Sequence, residues 1–122
     1  MLIFPLKKEW YEKIKNGEKT IEYREVKPYW TRRFYNENGG ESSAMVEENI
    51  FAEPLLPGQA FVFLAMECKL RLGYTNKYMT ANITKIEVVD GKDTDLHIDK
   101  PVYAIYLSNI KKIKEKMRSV CV

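Results

Sequence analysis

The fold of this chain is decided by two short stretches, Ala60-Phe-Val-Phe-Leu-Ala-Met66 and Val102-Tyr-Ala-Ile-Tyr-Leu107. Successive side chains of a strand point to opposite faces, so apolar residues at nearly every position predict strands that are buried on both sides. The chain has 122 residues, the size of one domain with one core. In so small a chain, such strands predict a sheet that curls on itself, with helices covering its ends.

The flanking sequence supplies the remaining elements. Periodicity and turn residues predict a strand over 2–4, a helix over 6–16, a strand over 20–26, a helix beginning at Pro28 and a strand over 79–89. The last of these changes the parity of its apolar positions, which indicates a β-bulge near Thr84 or Lys85. We therefore predict an α+β fold in a single domain over residues 1–122: a small mixed β-barrel with two or three short helices.

The charge of the chain is unevenly distributed. The net charge is +3, but residues 1–35 carry nine Lys/Arg against five Asp/Glu, and residues 111–122 carry five against one. Between them, residues 36–59 carry five acidic residues and no basic one. We interpret 36–56 as an acidic loop insertion and 110–122 as a basic C-terminal tail or helix. Clusters of basic residues at the two ends favour an anionic partner such as nucleic acid. The simpler alternative is that these basic residues form solvent-exposed surfaces without a partner.

Composition excludes several classes of protein. No apolar run approaches the roughly 18–20 residues of a membrane-spanning helix. The N-terminal apolar run ends at Lys7 and is too short for a secretory signal, so we expect a cytoplasmic protein without a membrane partner. The two cysteines, Cys68 and Cys121, form no disulfide framework and are expected to be free thiols.

The sequence also lacks the common cofactor and metal motifs. It contains neither a GxxxxGK[ST] phosphate loop nor GxGxxG. Its one histidine, His97, has no Cys-x-x-Cys nearby and is interpreted as an ordinary loop residue. We therefore predict no metal site and no cofactor.

The densest cluster of functional side chains is Gly17-Glu-Lys-Thr-Ile-Glu-Tyr-Arg24. Gly17 ends the predicted helix, so Lys19 lies on the turn into the next strand. Glu22 and Arg24 are two positions apart and share one face of that strand. Arg24 offers a planar fork for phosphate or a base edge, and Glu22 can accept a hydrogen bond from an exocyclic amine. The alternative is an exposed Glu22–Arg24 ion pair, worth about 0–1 kcal/mol.

A second group of aromatic and basic residues follows at Tyr29, Trp30, Arg32 and Arg33. Trp30 and Phe34 are four positions apart, which is typical of a helix face in the core. Arg32 and Arg33 are the better candidates for contacts at the rim of a nucleic-acid site.

Residues 6–24 resemble the opening of an ASCH domain. The signature of that family is Gly-x-Lys-x-x-Glu-x-Arg, and residues 17–24 match every fixed position. The segment Pro57-Gly-Gln-Ala-Phe-Val-Phe63 is similar to a later strand of the family, with Gln59 in place of the usual Asp. The resemblance implies a PUA-like β-barrel with a cleft, lined by Lys19, Glu22 and Arg24, that binds RNA or a nucleotide.

The resemblance leaves an enzymatic alternative open. One branch of the family hydrolyses N4-acetylcytidine and related amides with its signature Lys, a Thr and a further Glu. The Thr of that branch falls at Glu22 in this sequence, and the nearest hydroxyl, on Thr20, is two positions early. If the protein is an enzyme, Lys19 and Glu22 would be the acid/base pair.

The sequence thus leads to three hypotheses. The preferred one is an RNA- or nucleotide-binding module that uses Lys19, Glu22, Arg24, Tyr23, Arg32 and Arg33. The first alternative is a small amidohydrolase acting on an N4-acylated cytidine. The second is a protein-interaction domain whose acidic loop, 36–56, contacts an unidentified partner.

Overall fold

The computed structural model describes residues 1–38 and 59–112. Within these ranges the chain forms five strands and two α-helices, in the order β1 (Leu2–Leu6), α1 (Lys8–Lys15), β2 (Ile21–Glu25), α2 (Pro28–Asn38), β3 (Ala60–Leu72), β4 (Tyr78–Asp90) and β5 (Pro101–Lys112). A single 3-10 turn, Gly91–Asp93, follows β4. No helix in this part of the chain is long and apolar enough to cross a membrane.

The five strands form one mixed sheet in the order β1-β3-β4-β5-β2. β1 runs parallel to β3, and the other three pairings are antiparallel. The sheet curls into a half-barrel, so that its two outer strands approach each other. The Arg24 side chain on β2 reaches across, and its Nη2 donates a hydrogen bond to the Pro5 carbonyl on β1 over 2.7 Å. The α+β class and the barrel-like curl agree with the sequence prediction.

Bulges supply the bend of the sheet. The pairing of β4 with β5 shifts between Ile83 and Lys85, which confirms the bulge predicted at this point. Two further shifts lie between Thr80 and Asn82, where β4 pairs with β5, and between Val62 and Met66, where β3 pairs with β4. Extra residues in one strand increase its local twist and bend it, so these three positions curve the long central strands.

The core confirms one of the two deciding stretches and corrects the other. Residues 102–105 of β5 are all buried, so this strand is covered on both faces. In β3, however, Phe61 is buried and Val62 is 70% exposed, so Ala60–Met66 is not buried on both sides. The reason is the alternation of the strand: Phe61 faces the core, so Val62 faces the opposite side of the sheet, which the described elements leave open at this point.

Three predicted boundaries were wrong. The helix predicted over 6–16 begins at Lys8, because Pro5 and Leu6 belong to β1; proline is tolerated on an edge strand, where its missing N–H breaks no ladder bond. Residues 36–38, assigned to the acidic loop, continue helix α2. Residues 110–112, assigned to the basic tail, continue β5, paired with β4. The remainder of both predicted segments, 39–56 and 113–122, lies outside the described residues.

Candidate functional site

The Gly17–Arg24 cluster lies where α1 turns into β2. Gly17 has φ +83°, a left-handed conformation that glycine adopts without strain. The backbone N–H groups of Glu18 and Lys19 both donate to the Lys13 carbonyl, which reverses the chain at the end of the helix. This turn carries Lys19 back over the start of β2, beside the Glu22 and Arg24 side chains.

A cavity of about 350 Å³ opens at this point. Its walls come from β1, α1, β2, the start of α2 and the loop after the 3-10 turn. They include every ionic residue of the predicted signature and Tyr23; the full lining is Pro5, Leu6, Lys7, Trp10, Lys19, Glu22, Tyr23, Arg24, Glu25, Lys27, Trp30, Asp95 and Leu96. The structure therefore brings Lys19, Glu22, Tyr23 and Arg24 together in one concave site.

Arg24 is held from several sides. Its Nε donates to Glu22 Oε2 over 2.9 Å, and its Nη2 donates to the Pro5 carbonyl. The guanidinium carbon lies 5.4 Å from the centre of the Phe4 ring and 5.3 Å from that of Trp30. Its side chain is only 20% exposed, so these contacts fix the fork of Arg24 against the wall of the cavity.

Lys19 is the most enclosed cation of the site, with a side chain that is 8% exposed. Its ammonium group forms ion pairs with Asp95 and, over 3.7 Å, with Glu22 Oε1. It also lies 5.3 Å from the centre of the Trp10 ring and 4.9 Å from that of Tyr23. Lys19 is therefore already neutralised by two carboxylates.

Glu22 is the buried acid at the centre of the cluster. Burial raises its pKa above the ordinary 4.5, while the charges of Arg24 and Lys19 oppose the rise. The two carboxylate oxygens differ, because Oε2 accepts the Arg24 hydrogen bond whereas Oε1 has only Lys19 at 3.7 Å, beyond hydrogen-bond length. Among its contacts with the described residues, Oε1 is thus an acceptor without a donor, on the wall of the cavity.

Arg32 and Arg33 are placed elsewhere. Within the described part of the chain, the lining of the cavity includes neither of them. Arg33 instead lies on α2 with its guanidinium 5.1 Å from the centre of the Tyr29 ring. Trp30, predicted to be core, is half-buried against the core and also lines the cavity, so it has both roles.

Sequence reasoning missed two important lining residues, Trp10 and Asp95. Trp10 lies within the helix predicted over 6–16, where it was given no role in the site, and it packs against the core while it also lines the cavity. Asp95 lies 76 positions from Lys19 in sequence, and no local pattern connects the two. The one available signal was that a lysine enclosed in a cleft needs an acidic partner.

A smaller cavity of about 230 Å³ adjoins the first. The two share Trp10, Lys19, Tyr23 and Asp95, and the smaller one extends along the end of α1 to Lys13. The Lys19–Asp95 pair therefore lies on the boundary between the two hollows.

Two other residues that the sequence analysis considered, His97 and Cys68, do not line the cavity. His97 is exposed, in a left-handed conformation with φ +47°. Cys68 is a buried free thiol in the core, and burial raises its pKa to about 12. In the described ranges, no three His, Cys, Asp or Glu side chains are grouped so as to hold a metal ion.

Comparisons of the chain with protein-family models, with curated proteins and with solved structures find no match. The interpretation of the site therefore rests on its own geometry and on the motif in residues 17–24.

Proposed function

We propose that the cavity binds the base of a nucleotide, free or within an RNA strand, on a PUA-like barrel of the ASCH type. The observation that carries this proposal is the combination of three aromatic walls, Trp10, Tyr23 and Trp30, with an unfilled acceptor, Glu22 Oε1, in one cavity. Small-molecule sites are typically concave and mostly apolar, with a few polar groups that fix the orientation of the ligand.

A nucleobase fits the chemistry of these walls. Its flat faces can stack on aromatic rings or on a guanidinium, which contributes about 1–3 kcal/mol per base. Its exocyclic amine, as in cytosine, can donate to Glu22 Oε1, since carboxylates accept from such amines. The approximately 350 Å³ of the cavity lies at the lower end of the range for small-ligand sites. The proposed ligand is therefore a single base with an exocyclic amine.

The phosphate belongs at the rim of the cavity, where Lys7 and Lys27 are located. Both side chains are exposed, and both line the opening. Lys19 and Arg24, by contrast, are enclosed and already paired with acids. A phosphate that stays at the rim keeps most of its hydration while it gains the attraction of two cations.

The test is a salt-dependent titration of a single-stranded RNA ten nucleotides long, followed by fluorescence anisotropy. Each lost phosphate contact on a single strand should lower the slope of log K against log salt by about 0.7. The Lys7→Ala/Lys27→Ala variant should therefore bind more weakly, with a slope shallower by about 1.4. Lys8→Ala/Lys15→Ala is the matched control. It also removes two positive charges, but from residues of α1 that do not line the cavity.

A cytidine titration followed by tryptophan fluorescence tests the base contact, since Trp10 and Trp30 both line the cavity. Saturable quenching is expected in the wild type and in both lysine variants. If neither cytidine nor RNA binds the wild type, or if the control and rim variants lose RNA equally, the proposal is refuted.

A second candidate function, hydrolysis of an N4-acylated cytidine, is favoured by one feature of the site. Glu22 has a raised pKa and lies beside Lys19 in a cavity, as acid/base pairs in active sites often do. Incubation with N4-acetylcytidine at high protein concentration, followed by chromatography, tests it. Cytidine that forms with the wild type and not with Glu22→Gln would support catalysis, and no product would remove this candidate.

The protein-interaction hypothesis stays a prediction, because 39–56 of its acidic segment lies outside the described residues.

A further inference from the structure

Asp95 enters the cavity from the loop that connects the 3-10 turn to β5, a segment to which the sequence assigned no function. We propose that Asp95 determines the specificity of the site: it neutralises Lys19, so that the enclosed part of the cavity accepts an uncharged base and rejects a phosphate. This inference rests on the proposed function and identifies the part of the ligand that the cavity encloses.

Four charged side chains meet in this part of the cavity. Lys19 and Arg24 contribute two positive charges, and Glu22 and Asp95 contribute two negative ones. The side chains of Lys19 and Glu22 are each 8% exposed, that of Arg24 is 20% exposed, and that of Asp95, at the edge of the cluster, is 37% exposed. An anion added to this balanced cluster would be an unpaired charge in a poorly solvated place, which is costly. An uncharged base adds no such charge.

The loop that carries Asp95 is fixed at both ends by backbone hydrogen bonds. Gly91 donates to the Lys100 carbonyl over 2.8 Å and accepts from the Ile98 N–H over 3.2 Å, which ties the two ends of the loop together. A Cβ at Gly91 would lie 2.6 Å from the Lys100 carbonyl oxygen. Thr94, buried, donates its hydroxyl to the Gly91 carbonyl over 2.9 Å. The backbone next to Asp95 is therefore anchored, and the carboxylate is presented to Lys19 from a defined position.

A nearby ion pair differs from the Lys19–Asp95 pair in the burial of its lysine: Asp95 is 37% exposed, but the Lys19 side chain that it meets is only 8% exposed. Asp99, four residues further along the same loop, pairs with Lys92 over 3.4 Å, but the two side chains are 85% and 61% exposed. Asp95 instead meets a lysine that aromatic rings and a second carboxylate enclose. Removal of the Asp99 charge should therefore leave the cavity unchanged, which makes Asp99→Asn a matched control.

The experiment compares the wild type, Asp95→Asn and Asp99→Asn at low ionic strength. Inorganic phosphate, cytidine and cytidine 5′-monophosphate are titrated into each protein, and the backbone amide signals of Lys19 and Glu22 are followed by NMR. Asp95→Asn frees one positive charge in the cavity, so we expect it to bind phosphate at least about tenfold more tightly than the wild type. The preference for the monophosphate over cytidine should rise by a smaller factor, because the phosphate of a bound nucleotide lies at the rim, and Asp99→Asn should match the wild type.

The two proposals fail in different ways. If Asp95→Asn changes neither phosphate binding nor the monophosphate preference by more than about twofold, or if Asp99→Asn changes them equally, Asp95 has no role in specificity. If cytidine does not bind the wild type, the proposed function is wrong, whatever the phosphate titration shows. A wild type that binds phosphate at Lys19 as tightly as Asp95→Asn overturns the inference alone.

Discussion

Replacing Arg24 with methionine removes a side chain that connects the two outer strands of the sheet. Methionine keeps much of the volume and the contact with the Phe4 and Trp30 rings. It loses the hydrogen bond to the Pro5 carbonyl and the ion pair with Glu22 Oε2. The substitution therefore isolates the polar contacts of Arg24 from its packing.

The expected loss of stability follows from these two contacts. A hydrogen bond that involves a charged group contributes about 1.5–3 kcal/mol, and breaking a buried ion pair costs about 3–5 kcal/mol. Here Arg24 is 20% exposed and Glu22 keeps Lys19 as a second cation, so the lower part of that range applies. We expect a loss of about 3 kcal/mol in the free energy of unfolding and a fall of roughly 10 °C in Tm.

The loss should also grow with pH. Burial already raises the pKa of Glu22 above 4.5, and the Arg24 charge lowers it; removing Arg24 therefore raises this pKa further. A carboxyl whose pKa is raised on folding binds its proton more tightly in the folded protein than in the unfolded one. Stability therefore falls as the pH rises from the pKa of the unfolded state through the pKa of the folded state. Arg24→Met should thus cost least below pH 4.5, where Glu22 is protonated in both states, and most above its folded pKa.

Chemical denaturation followed by tryptophan fluorescence at pH 4 and pH 8 measures both effects. Arg32→Met is the control, because Arg32 is half-buried on α2 and is absent from the lining of the cavity; it should change stability by less than about 0.5 kcal/mol. The double variant Arg24→Met/Glu22→Gln should be more stable than the sum of the single changes predicts. Equal costs at both pH values, or strict additivity, would refute the reasoning.

Three further predictions concern the surroundings of the site. Thr31→Val removes the 2.6 Å hydrogen bond between the buried hydroxyls of Thr31 and Tyr103; denaturant unfolding should show a loss of about 1–2 kcal/mol, which Thr31→Ser should largely avoid. Gly91→Ala places a Cβ against two backbone carbonyls and should cost about 1–3 kcal/mol, measured in the same way, while shifting the NMR signals of the loop up to β5. The pKa of Tyr106 should lie near 12, because its hydroxyl donates a hydrogen bond to the Glu87 carboxylate. In Glu87→Gln this pKa should fall toward 10, and NMR of the tyrosine rings at increasing pH measures it.

The local sequence pattern was sufficient to predict those elements whose spacing and turn residues lie within one short segment. A helix that stops before Gly17, a helix that begins at Pro28 and a bulge near Thr84 were all predicted from spacing and turn residues, and the structure contains all three. A cleft lined by Lys19, Glu22 and Arg24 was implied by the resemblance of residues 17–24 to the ASCH signature, whereas their spacing alone left an exposed Glu22–Arg24 ion pair as an alternative; the three side chains line one cavity.

Pairing between distant segments could not be predicted in this way. Pro5 and Leu6 looked like the start of a helix, but their parallel pairing with β3 makes them the end of a strand. The exposure of Val62 is a second example, because whether another element covers that face of β3 depends on the packing of distant segments.

The sequence by itself determined which side chains β2 presents, since the alternation along a strand is a local property of the backbone. Only the tertiary structure decided what surrounds those side chains. The curl of the sheet brings Pro5 to Arg24, and an anchored loop brings Asp95 to Lys19. Burial and partners set the charge balance of the cavity, and both depend on contacts between segments that are far apart in the chain.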